Sequence, residues 1–205
     1  HSLKINLPQM KKLGLAASFT IYLSAGILLY VVTRFLIPWL SAITGQETIF
    51  FWFTAGGLLV FLPLIITGIV VLRSEGYTLS KATWVQRLRF RKLTRRDLAY
   101  SVGGVIAVGV LSMLVMQGLE KALGNFSHQP PFMVFEPLSA GRYWLLLVWL
   151  PFWILNIMGE EFLWRGVMLP RQELVFGRFT WLIHASGWLL FHVAFGWQLL
   201  ITLIP

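Results

Sequence analysis

Two adjacent carboxylates and an arginine stand at the end of a strongly apolar run, in the sequence GEEFLWRG at 159–166. On a helix, Glu161 and Arg165 lie four residues apart and share one face, whereas Glu160 points about 100° away from them. Two neighbouring carboxylates that are removed from water cannot both ionise cheaply unless one of them is paired. The spacing therefore predicts an ion pair between Glu161 and Arg165, which leaves Glu160 available as a general base for water. A structural salt bridge at the membrane surface explains the same motif without catalysis.

A histidine, His192, lies in the next apolar run. A lone histidine in a membrane helix is often only a hydrogen-bonded packing residue. If the two runs form an antiparallel hairpin that turns near Phe176-Gly177, Glu160 and His192 are each 16 residues from Phe176 and lie level with each other. His184 lies about 12 Å nearer the turn at 1.5 Å per residue, and is therefore a poorer partner for Glu160. The register thus favours His192 as the second member of a catalytic pair.

General-base catalysis requires Glu160 and His192 to reach one water, so we expect them within direct or one-water hydrogen-bonding distance. They must also face a polar cavity, because a site that activates water has to admit it. Asn156 lies one turn before Glu160, and Trp188 lies one turn before His192. We expect these two side chains, together with Trp164, to line the cavity.

The composition defines the class of protein in which these residues lie. Hydrophobic residues make up 57% of the 205, charged residues only 12%, and the mean hydropathy is +0.74. Such a chain is too apolar for a soluble domain and is typical of a polytopic membrane protein. Cysteine is absent, which excludes disulfides, a thiolate nucleophile and a cysteine metal site.

Uncharged runs at 13–33, 48–72, 98–119, 143–159 and 179–205 each approach or exceed the length of about 20 residues that crosses a bilayer. They predict an all-α fold, a polytopic transmembrane helical bundle with five full spans in a single domain over residues 1–205. The apolar end at 199–205 resembles the start of a sixth span.

Two details of these spans matter for the site. The fourth helix is expected to run from about Arg142 to Met168, with its charges facing protein rather than lipid. Gly56-Gly57 in the second run and Gly103, Gly104 and Gly109 in the third run are expected to allow close helix packing.

Lysine and arginine are distributed unevenly between the connections. The N-terminal arm 1–12, the loop 73–97 and the turn after the fourth run contain 14 of the 17, including Arg165, Arg171 and Arg178. The positive-inside rule then places these segments in the cytoplasm. We interpret the net charge of +9 as this topology signal, with contact to lipid headgroups, rather than as nucleic-acid binding. We expect an integral protein of a bacterial inner (plasma) membrane whose N-terminus is cytoplasmic.

The combination of Glu160-Glu161-x-x-x-Arg165 with an aromatic-x-x-x-His192 on the next helix resembles the CPBP family of intramembrane proteases. This family comprises CAAX prenyl proteases and bacteriocin-processing proteins, also called Abi proteins. The basic segment 84–98 is similar to the stretch that precedes the core in such proteins, and the CPBP-like core would cover about 98–205. Trp188 stands where phenylalanine is usual in the family.

The resemblance implies an endopeptidase in which Glu160 and His192 activate a water that attacks a peptide carbonyl. Family members carry a third motif, His-x-x-x-Asn or similar, on a later helix, and this chain has none before Pro205. The resemblance leaves open a zinc enzyme, with Glu160 and His192 as metal ligands, or a glutamate-dependent hydrolase.

Three functions are compatible with these features. The first is an intramembrane endopeptidase that acts on a membrane-proximal peptide or membrane-protein substrate, the C-terminal end of the protease core being missing here. The second is a non-catalytic immunity or scaffold protein that binds a membrane partner. The third is a small transporter with an intramembrane charge pair, which the lack of an inverted repeat disfavours.

Overall fold

The protein is built from apolar helices. The computed structural model describes residues 8–88, 92–124, 129–134 and 136–202, and the predicted arm 1–12, loop 73–97 and apolar end 199–205 each extend beyond these ranges. The described residues contain helices and no strand, so the predicted all-α class is confirmed. The helices are α1 (Leu15–Thr44), α2 (Thr48–Ser74), α3 (Lys81–Gln86), α4 (Arg95–Leu123), α5 (145–176), α6 (Thr180–Phe191) and α7 (Trp197–Thr202).

Four helical stretches among the described residues are long and apolar enough to cross a membrane: Leu15–Thr44, Thr48–Ser74, Arg95–Leu123 and Leu145–Phe195. The shortest has 27 residues and is about 40 Å long at 1.5 Å per residue, which exceeds the hydrocarbon thickness of about 30 Å. The last stretch holds the fourth and most of the fifth predicted run. The fifth run is not one continuous helix, because the chain leaves helical geometry at Gly196, where φ is 86°.

The chain reverses direction between α5 and α6. Gly177 has φ 50° and ψ −123°, a backbone conformation that side chains with a Cβ rarely adopt, and it ends α5. A short 3-10 turn, Gly177–Phe179, then leads into α6. The predicted reversal near Phe176-Gly177 is therefore present, although α5 begins at Leu145 and extends past Met168 to Phe176.

Close approach between helices depends on two glycines beside the site. A Cβ on Gly187 of α6 would lie 2.2 Å from the Tyr22 ring of α1, and a Cβ on Gly159 of α5 would lie 2.7 Å from the Phe61 carbonyl oxygen of α2. These contacts leave no room for a methyl group, so α1 and α2 pack directly on the hairpin. The expectation of close packing holds at Gly57, where a Cβ would lie 3.5 Å from the Phe152 ring of α5. It is wrong for Gly103, Gly104 and Gly109 in the described structure, because nothing lies within 4 Å of a Cβ at any of them.

A buried ion pair joins α5 to the end of α2. The Arg171 guanidinium donates from Nε to Oε1 of Glu75 at 3.0 Å and from Nη2 to Oε2, and both side chains are only 3% exposed. A third donor, Nη1, bonds the Val167 carbonyl at 2.6 Å. Arg171, counted above among the basic residues of the turn after the fourth run, therefore lies within α5 and is buried.

The same ion pair holds the segment that precedes α1. The Lys11 amide donates to Glu75, and the Leu13 amide donates to the Arg171 carbonyl. Tyr77 donates its hydroxyl hydrogen to the Pro8 carbonyl, and burial raises the pKa of Tyr77, which keeps that donor protonated. The N-terminal segment is thus fixed against the ends of α2 and α5.

Candidate active site

Glu160 lies at the junction where the regular α-helix of α5 gives way to a π-helical segment, Glu161–Met168. Trp188 Nε1 on α6 donates to Glu160 Oε2 at 2.8 Å, and His192 Nε2 lies 3.7 Å from the same oxygen. The Glu160 and His192 side chains are 16% and 9% exposed. The structure therefore brings together the carboxylate and the imidazole that the hairpin register predicted to meet.

The orientation of the His192 ring follows from its other nitrogen. Nδ1 lies 2.8 Å from the Trp188 carbonyl oxygen, which can only accept, so Nδ1 carries the hydrogen. The neutral ring then turns the lone pair of Nε2 toward the Glu160 carboxylate. His192 Nε2 and Glu160 Oε2 are therefore two hydrogen-bond acceptors that lie 3.7 Å apart. They need a donor between or beside them, which can be a proton on one of them or the two O–H groups of a water.

A cavity of about 510 Å³ opens beside Glu160. His192 is not among its lining residues, so of the two residues expected to face a cavity only Glu160 does so. The walls of the cavity come from α5 and α6: Asn156, Ile157, Glu160, Glu161, Trp164, Arg165, Leu169, Trp181, His184, Ala185 and Trp188. Asn156, Trp164 and Trp188, which were expected to line a substrate cavity, all lie in its wall. Its volume falls within the range of about 300–1,000 Å³ that is common for ligand sites.

Glu161 and Arg165 form the predicted pair, with Arg165 Nη1 donating to Glu161 Oε2 at 3.2 Å. The pair is not buried, since the side chains are 70% exposed for Arg165 and 44% for Glu161. It lies at the rim of the cavity rather than in the packed interior. The expectation that the charges of this helix face protein is therefore wrong for this pair, and the buried ion pair of α5 is the one between Arg171 and Glu75.

His184 was expected to be a poor partner for Glu160, and the structure gives it other partners. Its Nδ1 lies 2.9 Å from both the Tyr22 hydroxyl and the Gln172 Oε1. The ring nevertheless lines the same cavity as Glu160. Sequence reasoning found no role for Tyr22 or Gln172, because neither belongs to a recognisable motif.

Metal binding is supported only in part by the described residues. A catalytic zinc site usually has three protein ligands and one open position. Glu160 and His192 supply a carboxylate oxygen and an imidazole nitrogen, both of which suit zinc. The described ranges contain no group of three or more His, Cys, Asp or Glu residues that could hold a metal ion, so they do not form such a site by themselves.

Residues 142–205 match a family model described as Rce1-like, type II CAAX prenyl endopeptidase Rce1-like. The resemblance to the CPBP family is thereby confirmed. The segment that matches the Rce1-like model contains the paired glutamates, Arg165 and His192, and the match supports a CAAX-type intramembrane protease. The basic segment 84–98 lies outside the matched residues. Among curated proteins and among solved structures, none matches the chain.

Proposed function

We propose that this protein is an intramembrane endopeptidase that hydrolyses a membrane-proximal peptide bond with a water activated by Glu160 and His192. The observation that carries the proposal is the separation of 3.7 Å between Glu160 Oε2 and His192 Nε2 beside a cavity large enough for a peptide segment. The CPBP match over 142–205 supports the same reaction class.

The two acceptors define a position for the attacking water. A water to one side of the pair can lie about 2.8 Å from both atoms and donate one hydrogen to each. Its lone pair then faces away from the pair, toward a substrate carbonyl. This arrangement resolves the conflict between the Nε2 lone pair and the carboxylate.

In the chemical step, Glu160 takes one proton from the water while the water oxygen forms a bond to the carbonyl carbon. The carbon–nitrogen bond then breaks, and the proton held by Glu160 passes to the leaving amine nitrogen. His192 holds the water by its second hydrogen, and the Trp188 carbonyl fixes the ring for this purpose. We assign Asn156 to donate to the oxyanion, because its amide is a hydrogen-bond donor in the cavity wall.

The test compares matched glutamate substitutions in the full chain reconstituted in lipid nanodiscs. A defined pool of synthetic peptides is incubated with the wild type, Glu160→Gln and Glu136→Gln, and the products are measured by mass spectrometry. Glu136 is 71% exposed and does not line the cavity, so its substitution should leave cleavage within about twofold. Loss of the base should reduce kcat/KM by about 10²- to 10⁴-fold.

Two results would contradict the proposal. Cleavage by Glu160→Gln at the wild-type rate would remove Glu160 as the base. Absence of cleavage by the wild type, in a preparation that still binds peptides from the pool, would favour the non-catalytic scaffold protein.

A further inference from the structure

A chain of polar side chains crosses the packed interior behind the cavity and ends on His184. Gln172 of α5 donates from Nε2 to the Ser18 hydroxyl of α1 at 3.1 Å, and its Oε1 lies 2.9 Å from His184 Nδ1. The Tyr22 hydroxyl lies 2.9 Å from the same nitrogen. Ser18, Tyr22 and Gln172 are fully buried. Buried polar groups between membrane helices are costly, and a complete network of this kind points to function.

The network fixes which nitrogen of His184 carries the hydrogen. Because the amide nitrogen of Gln172 donates to Ser18, its carbonyl oxygen faces the imidazole and can only accept. Nδ1 is therefore the protonated nitrogen of the neutral ring, the Tyr22 hydroxyl oxygen beside it can only accept from it, and Nε2 is an acceptor. Nε2 has no hydrogen-bond partner among the described residues and is not one of the buried unpaired atoms. It remains accessible in a side chain that lines the cavity.

His184 shares one face of the hairpin's second arm with the proposed catalytic residues. His184, Trp188 and His192 follow one another at intervals of four residues, which places them along one side of the helix. His184 and His192 are separated by about 12 Å along the helix axis at 1.5 Å per residue. An extended peptide advances about 3.3 Å per residue, so this separation corresponds to about four substrate residues.

We propose that His184 is a specificity-determining residue, whose Nε2 accepts a hydrogen bond from a substrate side chain about four residues from the scissile bond. The inference rests on the proposed function, since it places an extended peptide along the cavity with its scissile bond at Glu160. The preferred side chains are neutral donors such as Ser, Thr, Asn and Gln. Lysine and arginine can donate as well, but the cavity wall holds both the Arg165 guanidinium and the Glu160 and Glu161 carboxylates, so a charged donor does not report on His184 alone.

The experiment uses a peptide pool in which the residues on each side of a central bond are varied. It measures which peptides are cleaved and which are retained, meaning that they stay bound to the protein in the nanodisc. Cleavage is profiled with nanodiscs of the full-length wild type, His184→Leu and His184→Gln. Retention is profiled with the same His184 variants in a Glu160→Gln background, which holds peptides without hydrolysing them. Leu182→Val is the matched control, because Leu182 is exposed on α6 and does not line the cavity.

The wild type and Leu182→Val should enrich neutral donors at one position three to five residues from the cut by at least fivefold. His184→Leu should lose this enrichment, so that the ratio of donor-containing to donor-free products falls to about one whatever its overall rate, and His184→Gln should keep part of it. His184→Met replaces His184→Leu as the variant without an acceptor if the leucine protein does not elute as a single species. The retention profiles should show the same pattern.

Identical profiles for the wild type and the acceptor-free variant would overturn the role of His184 while leaving the protease proposal intact. If the wild type cleaves nothing, the protease proposal fails, and the retention profile still decides whether His184 selects the peptide. Absence of retention above that of empty nanodiscs would overturn the inference.

Discussion

Glu75→Gln should destabilise the protein strongly, because it leaves the Arg171 charge buried without its partner. The Arg171 side chain is only 3% exposed, and the glutamine would keep one acceptor oxygen but lose the negative charge and the second acceptor. Removing one member of a buried ion pair costs about 3–5 kcal/mol. The change would also weaken the contact from the Lys11 amide, which bonds the same carboxylate.

Glu161→Gln is the matched control, since it makes the same chemical change in a second glutamate–arginine pair. Arg165 is 70% exposed and Glu161 is 44% exposed, so this pair should contribute only about 0–1 kcal/mol. The two variants should therefore differ in stability by about 3 kcal/mol. The double variant Glu75→Leu/Arg171→Met should recover most of the loss, because replacing a whole buried pair by apolar side chains is often nearly neutral.

The assay is reversible unfolding of the detergent-solubilised chain by increasing mole fractions of SDS, followed by tryptophan fluorescence and circular dichroism. The free energy of unfolding is compared at one SDS fraction inside the transition. Loss of less than 1 kcal/mol in Glu75→Gln, or equal losses in Glu75→Gln and Glu161→Gln, would refute the reasoning from burial.

Three further predictions concern the site, the packing and the topology. Trp188→Phe removes the indole hydrogen bond to the site carboxylate. Since such a bond contributes about 1.5–3 kcal/mol, kcat/KM should fall about 10- to 150-fold in the peptide assay, and an unchanged value would contradict its role. Gly187→Ala should lower the free energy of unfolding by about 1–3 kcal/mol because its methyl group meets an aromatic ring of α1, whereas Gly103→Ala, with open space, should not. In this cysteine-free chain, cysteines introduced by Lys81→Cys and Arg178→Cys should not react with membrane-impermeant thiol reagents added outside intact cells, because both positions are predicted to be cytoplasmic. Labelling of either cysteine would contradict the predicted orientation.

The meeting of Glu160 and His192 was predictable because two simple regularities determine it. A charged side chain within an apolar membrane helix is costly unless it faces protein or a cavity. An antiparallel hairpin places residues that are equally far from its turn side by side. Gly177 supplied the turn, and its positive φ explains why the reversal occurs there. Hydropathy alone was sufficient to predict the helical class.

The polar contacts behind the site were not predictable in the same way. Tyr22 and His184 are separated by 162 positions in the sequence, and Glu75 and Arg171 by 96. Which helices lie next to each other depends on the packing of whole surfaces, and no local pattern encodes it. The exposure of the Glu161–Arg165 pair was missed for the same reason, because helical spacing predicts pairing but not burial.

The shared water is tested most directly by a double-mutant cycle between Glu160→Gln and His192→Ala, with kcat/KM measured in nanodiscs for the two single variants and the double variant. Residues that act as a unit on one water lose their effect together, so the double variant should be no more than about threefold slower than the slower single variant. Losses that multiply, so that the double variant falls by the product of the two single effects, would contradict a common water held by Glu160 and His192.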